Sequence, residues 1–250
     1  MITTVELLTE QECQKIRSGI DDLKHLWIQR HLTVPFYTLG ASNYFDIATK
    51  FPTPYYQMAT EYNPILQAHF GELYQRLADA LAEQLQAPVG YRNRLALPGF
   101  HIFLADPAFG QMQGLTHRQW YHALDRPEIV ASPIHCDTPH TIVDWGTKEG
   151  LDFNNPISFT LAISLPKCGA GMHVWDLWLK ETTDLSEAQL QERINSSPKQ
   201  LYSYEVGKLA LHSGQMYHQV ASMPNMQIDD ERITLQGHGL MCEGTWQLYW

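Results

Sequence analysis

From Tyr91 onward the chain breaks into short β-like runs separated by Gly, Pro and Asn, a texture that folds as an all-β sandwich or barrel. The pattern predicts strands at 94–104, 129–136, 141–145, 157–165, 172–179, 201–205, Lys208–His212, 219–222 and 232–238, with 245–250 as an outer strand. Two insertions interrupt the series. Segment 105–128 is polar and Gly/Pro-containing, and 184–197 reads as a surface helix capped by Ser186 with Gln189 three residues later.

Before Tyr91 the period changes. Thr9-Glu10-Gln11-Glu12 has capping-box form, and Cys13, Ile16, Ile20 and Leu23 follow on one helical face. A second helix is expected with Asn63 as cap and Pro64 in its first turn. Its face is Leu66, Phe70, Leu73, Leu77 and Leu81, and Pro88 stops it. Between the helices, 32–56 is rich in Pro and aromatic residues, an irregular segment able to fold over something. The expected fold is mainly β with flanking helices: a double-stranded β-helix (jelly-roll, cupin-like) core in a single domain, 1–250. Residues 1–90 are expected to form a helical support region and 91–250 the jelly-roll core.

A chain of 250 residues can bury a sizeable core without staples. Its net charge of −10 disfavours nucleic acid and anionic membrane surfaces as partners. The four cysteines are scattered without a Cys-x-x-Cys pair. No basic start followed by an apolar run opens the chain, and no apolar stretch is long enough to span a bilayer, so a cytoplasmic protein with reduced thiols is expected.

Histidine is over-represented, 12 residues in all, and it is the commonest metal ligand and general base. His135-Cys136-Asp137 places an imidazole and a carboxylate two apart, on one face of an extended chain. With 12 His and 27 acidic residues, chance supplies about one such pair, so the pair gains meaning only from residues further along the chain. His218 opens a strand after a tight turn, and Arg232 begins an alternating strand fourteen residues later. His212, six residues before His218, is the weaker choice because Ser213-Gly214 turns the chain directly after it. Two imidazoles and one carboxylate form a facial triad suited to non-haem Fe(II). Arg232 supplies a planar fork for a carboxylate, and Thr234, on the same strand face, can add a hydroxyl. Metal and carboxylate clamp together imply a keto acid.

On these residues, over about 94–239, the chain resembles the Fe(II)/2-oxoglutarate-dependent dioxygenases: His-x-Asp, a distal His and an Arg on the last core strand. The Gly169-Ala170-Gly171 turn and the strand after it also look like that superfamily. The resemblance implies Fe(II) with 2-oxoglutarate and O2 as cosubstrates, metal ligands His135, Asp137 and His218, and cosubstrate binding by Arg232 and Thr234. It implies decarboxylation to succinate and CO2 coupled to hydroxylation of an unactivated C–H. The substrate is expected to be a small molecule, or an amino acid that is free or bound to a peptide or carrier. Desaturation, epoxidation and cyclisation use the same ligands, whereas Asp137 argues against halogenation, which needs a small residue there. A cupin-like metalloprotein that does not use 2-oxoglutarate would usually show His-x-His, and none occurs. Substrate candidates are Arg94, His101 and Phe103 on the strand before the metal strand, and His173 and Trp175 after the Gly-rich turn. Segments 105–128 and 32–56 are candidate lids.

Overall fold

The structure, a computed structural model, describes residues 2–47, 54–126, 128–146 and 149–250; residues 48–53 and 127, which belong to the two candidate lids, lie outside these. The N-terminal part contributes β1 (Thr3–Glu6), α1 (Glu10–Asp22), β2 (Ile28–Gln29), β3 (Phe36–Leu39), α2 (Asn43–Asp46), α3 (Tyr55–Leu85) and β4 (Val89–Tyr91). There follow β5 (Gly99–Leu104), β6 (Gln113–Thr116), α4 (His117–Ala123), β7 (Ala131–Ile134), β8 (Leu151–Ser164) and β9 (Gly171–Trp178). The chain continues through α5 (Glu187–Ser196), β10 (Lys199–Ser203), β11 (Lys208–His212), β12 (Met216–Val220), β13 (Glu231–Cys242) and β14 (Thr245–Tyr249).

The core strands shuttle between two sheets. One runs β11-β8-β13-β5, extended at its edges by β1, β3 and β2. The other runs β10-β9-β12, and β7 joins it through a bridge between His135 and His218. Strands β5, β8, β11 and β13 therefore alternate along the chain with strands of the second sheet, which is the winding of a jelly roll. Odd-numbered residues of β13, such as Ile233 and Leu235, pack outward with Phe100, Ile102 and Leu161 against α1 and α3. Even-numbered residues point to the interior between the sheets, which gives β13 one greasy face and one polar one.

Local signals placed α1 and α5 well. Thr9 and Glu12 close the α1 capping box, and Ser186 and Gln189 close that of α5, each worth about 1 kcal/mol. The second helix differs from expectation: it starts at Tyr55, and Pro64 lies inside it. Tertiary contacts override the cap signal there. Asn63 donates to Leu95 O and accepts from Leu97 N–H, both at 2.9 Å, instead of capping. Buried Tyr55 accepts from Ala96 N–H at 3.0 Å, which extends the packed face by two turns. The helix ends at Leu85 with Gln86 left-handed, before Pro88 is reached. The expected strand at 141–145 is absent: Pro139 opens a tight helical turn over Pro139–Thr141, and the chain runs irregularly to Trp145. Of the stretch 94–104 only Gly99–Leu104 is strand. None of the described helices is long and apolar enough to cross a membrane.

Candidate metal centre and its cavity

His135 sits one residue beyond β7 and His218 in the middle of β12, and the two strands meet there. Each backbone N–H donates to the other's carbonyl, His135 N to His218 O at 3.0 Å and His218 N to His135 O at 2.9 Å. This pairing brings the two side chains together, with ring centroids 4.5 Å apart. Asp137, next in alternation after His135, completes the group. Its N–H donates to Gly214 O at 2.7 Å, which ties it to the turn before β12. Gly214 is left-handed, with φ of 73°, and a Cβ there would come within 2.6 Å of Ser158 Oγ and 3.0 Å of Asp137 Cβ. Only glycine satisfies both the turn and the approach.

The donor set fits a divalent cation. The ligand atoms of His135, Asp137 and His218 all lie within 4.8 Å of one another, the one such cluster among the described residues. His135 Nδ1 lies 3.0 Å from Pro133 O and His218 Nδ1 lies 2.8 Å from Met216 O. Each ring thus gives its Nδ1 proton to a carbonyl two residues back on its own strand, leaving the Nε2 lone pair for an ion. The two Nε2 atoms face the two oxygens of Asp137, each at 3.4 Å. Burial opposes the Asp137 charge, but His218 and His135 outweigh it and hold the carboxyl well below its ordinary value. Burial likewise opposes protonation of His218, and Asp137 reverses the balance so that its ring is raised. A neighbouring carboxylate plus two oriented imidazoles with three open positions is the set that non-haem Fe(II) takes.

His212 is buried and 5.1 Å from the His218 ring, but its Nδ1 accepts Gly214 N–H at 3.0 Å and it stands outside the three-ligand group. Tyr44, in the candidate lid segment 32–56, donates its hydroxyl to Asp137 Oδ1 from α2. Sequence reading missed His238, which bonds Ser158 Oγ at 3.0 Å and lies beside Tyr44. Neither carries a local motif; only the fold brings residues so distant in sequence to one carboxylate.

An inner cavity of about 160 Å3 is lined by the three ligands together with His101, Phe103, Thr160, Tyr204, Gln236 and His238 among others. Arg232 and Thr234 share the inward face of β13 with Gln236 and His238, paired in register with Phe103 and His101 of β5. Both are fully buried. The Arg232 guanidinium lies over the rings of Phe103 and Tyr204, at 5.2 and 5.7 Å. None of its three nitrogens has a hydrogen-bond partner among the described residues. Burial pulls its pKa down, and the nearby Tyr204 hydroxyl offsets part of that. A buried, unpaired guanidinium is expensive unless an anion completes it, so this cradle fits a small carboxylate.

The other substrate candidates divide. His101 and Phe103 line the cavity. Arg94 does not: it sits in the irregular stretch before β5, half exposed and paired with Asp144 at 2.6 Å. His173 and Trp175 share a face of β9, as alternation predicts, but it is the outer one. Met172 points into the cavity, while His173 and Trp175 line a separate groove with Gln191 and Ile194 of α5. Alternation fixes which residues share a face and not which face is inside.

No family model matches the sequence, and no curated protein matches it either. Solved structures do. An N-substituted L-amino acid dioxygenase from Burkholderia ambifaria superimposes with a TM-score of 0.57 at 14% identity, over 99% of this chain and 85% of that one. Its complex with alpha-KG aligns equally well. The epimerase SnoN from nogalamycin biosynthesis, in complex with Fe3+, alpha ketoglutarate and nogalamycin RO, gives 0.52 at 10% identity, over 96% and 78%. At these identities the likeness is one of fold: the chain shares a jelly-roll core with these proteins.

Proposed function

We propose that the protein is a non-haem Fe(II) and 2-oxoglutarate-dependent oxygenase that hydroxylates an unactivated C–H of a small molecule or of an amino acid, free or bound to a peptide or carrier. In this reading the whole chain works as a single domain, with residues 1–90 supporting a catalytic core at 91–250. The observation that carries it is Arg232: a fully buried guanidinium with no hydrogen-bond partner among the described residues, on the inner face of a strand that borders the three-ligand cavity. A ligand cluster alone fits several metals, but the cluster plus an empty-handed cation fits a metal-chelating acid with a second carboxylate.

His135 and His218 would hold the ion through Nε2 and Asp137 through its carboxylate, with the Pro133 and Met216 carbonyls fixing both rings. The Tyr44 hydroxyl on Asp137 Oδ1 steadies that carboxylate. Arg232, with Thr234 beside it, would take the far carboxylate of 2-oxoglutarate, and Phe103 and Tyr204 keep water from it. Fe(II) with 2-oxoglutarate and O2 supplies an oxidant strong enough for an unactivated C–H bond, releasing succinate and CO2. His101 and Phe103 stand where substrate or cosubstrate must pass.

The test is spectroscopic. Anaerobic addition of Fe(II) and 2-oxoglutarate should produce the weak visible charge-transfer band of the chelate, and its absence from native protein would overturn the proposal. Asp137→Ala should lose both the band and succinate formation. Product mass distinguishes hydroxylation, a gain of one oxygen, from desaturation or cyclisation, a loss of two hydrogens, and from epimerisation, no change.

A further inference from the structure

The inner cavity is walled chiefly by Phe36, Phe45, Phe109, Met112, Trp120 and Leu124. Among its described lining residues only Asp137 and Arg30 carry a formal charge. Asp137 belongs to the ligand group. Arg30 is fully engaged: Nε donates to Thr38 Oγ1 at 2.8 Å, and the two terminal nitrogens donate to the Asp46 carboxylate at 2.7 and 2.9 Å. His31 is engaged as well, with Nδ1 accepting Thr33 and Val34 N–H at 3.2 and 3.3 Å and Nε2 facing Ile129 O at 3.3 Å.

His101 is different. It is buried, and both ring nitrogens lack a partner among the described residues. Its ring sits edge-on to Phe36 at 5.4 Å and to Trp250 at 5.2 Å. Burial first, then the nearby Arg232 and Arg30, push its pKa well down, so the ring is neutral. A neutral imidazole offers one N–H and one lone pair, which a hydroxyl can answer with its own acceptor and donor. Two buried polar atoms left unmet cost free energy that a ligand recovers by meeting them.

We propose that the molecule oxidised in this cavity is uncharged and largely apolar, with a hydroxyl or similar neutral donor–acceptor group recognised by His101, and that free amino acids, amines and carboxylates are excluded. This rests on the cosubstrate reading in one respect: 2-oxoglutarate occupies Arg232 and so removes the cation left without a hydrogen-bond partner among the described residues beside the cavity. A charged substrate group would then enter an aromatic wall with no counter-ion.

The experiment uses the full chain, anaerobic, with Fe(II) and saturating 2-oxoglutarate, and five probes on one ring: benzyl alcohol, toluene, benzylamine, benzoate and phenylglycine. Binding is read by ligand-observed NMR. Benzyl alcohol should bind tightest, with each charged probe at least about tenfold weaker, since an unpaired buried ion costs well over 1.4 kcal/mol, the equivalent of tenfold. His101→Leu should remove the preference for benzyl alcohol over toluene. His101→Asn, which keeps a donor and an acceptor, should retain part of that preference. Tighter binding of any charged probe, or an undiminished alcohol preference in His101→Leu, overturns the proposal. A missing chelate band would defeat the cosubstrate reading and, by leaving Arg232 open, the exclusion of carboxylates with it, whereas a failed alcohol preference with the band intact overturns this inference alone.

Discussion

Two buried guanidiniums lie close to the same cavity, and their surroundings are opposite. Arg30 is 6% exposed and meets Asp46, itself fully buried, in a two-pronged ion pair, with Thr38 taking its remaining Nε. Arg232 is buried too, but its guanidinium lies over two aromatic rings and its nitrogens find no hydrogen-bond partner among the described residues. Desolvating a guanidinium costs several kcal/mol in both places. At Arg30 the protein itself supplies the compensation, so that pair is architecture and links the β2–β3 hairpin to α2. At Arg232 the proposed function leaves the compensation to the cosubstrate, and on that reading the residue trades stability for recognition.

The contrast can be broken most directly at Asp46. Asp46→Ala strands Arg30 and should cost about 3–5 kcal/mol of unfolding free energy, seen as a large drop in the urea midpoint. Arg232→Leu should behave in the opposite way. Without cosubstrate the protein should be as stable as the parent or more so, while 2-oxoglutarate affinity falls about 30- to 150-fold, equivalent to about 2–3 kcal/mol for a lost charge-assisted pair. Titration calorimetry or cosubstrate-dependent thermal shifts measure this. If Arg232→Leu unfolds the metal-free protein as Asp46→Ala does, the two arginines are alike and the comparison fails.

Acid sharpens it by turning neutral buried groups into further uncompensated cations. Burial holds His238 down to about 4 and His212 to about 3. An unfolded imidazole takes up its proton below about 6.5 and these folded ones do not, so the unfolded state binds more protons. Stability of the metal-free protein should therefore fall as pH drops from about 6.5 to about 4, by up to about 1.4 kcal/mol per pH unit for each ring. A urea midpoint that stays flat over that range would contradict their burial. The smallest effect belongs to Arg94, an exposed arginine with an exposed partner. Arg94→Ala should change stability by less than about 0.5 kcal/mol and leave 2-oxoglutarate affinity unaltered.

What the sequence revealed of this site depended on range. His135 and Asp137, or Arg232 and Thr234, are two apart on extended chain, so period-two alternation alone sets them on a common face. Lys208–His212 was legible as a strand for the same reason. The Arg30–Asp46 pair, the Tyr44 contact with Asp137 and the nearness of His238 join elements that share no local pattern, and only the wound sheets bring them together. His173 and Trp175 mark the boundary between the two cases: their shared face was readable, but its direction was set by which side of β9 the helix α5 covers. The start of α3 was misread because Asn63, a good capping residue by type, is held by the backbone of Leu95 and Leu97.

The reciprocal hydrogen bonds between His135 and His218 have a topological consequence. They are the bridge that attaches β7, and β6 beyond it, to β12. An ion on both imidazoles would act as a cross-link between positions 83 residues apart in the chain. Closing a loop of that length lowers the entropy of the unfolded chain by the equivalent of roughly 4 kcal/mol. Metal occupancy should then be registered in the backbone, as slower amide exchange along the β6–β7 ribbon, so that loading the centre and fastening the seam of the jelly roll would be a single event.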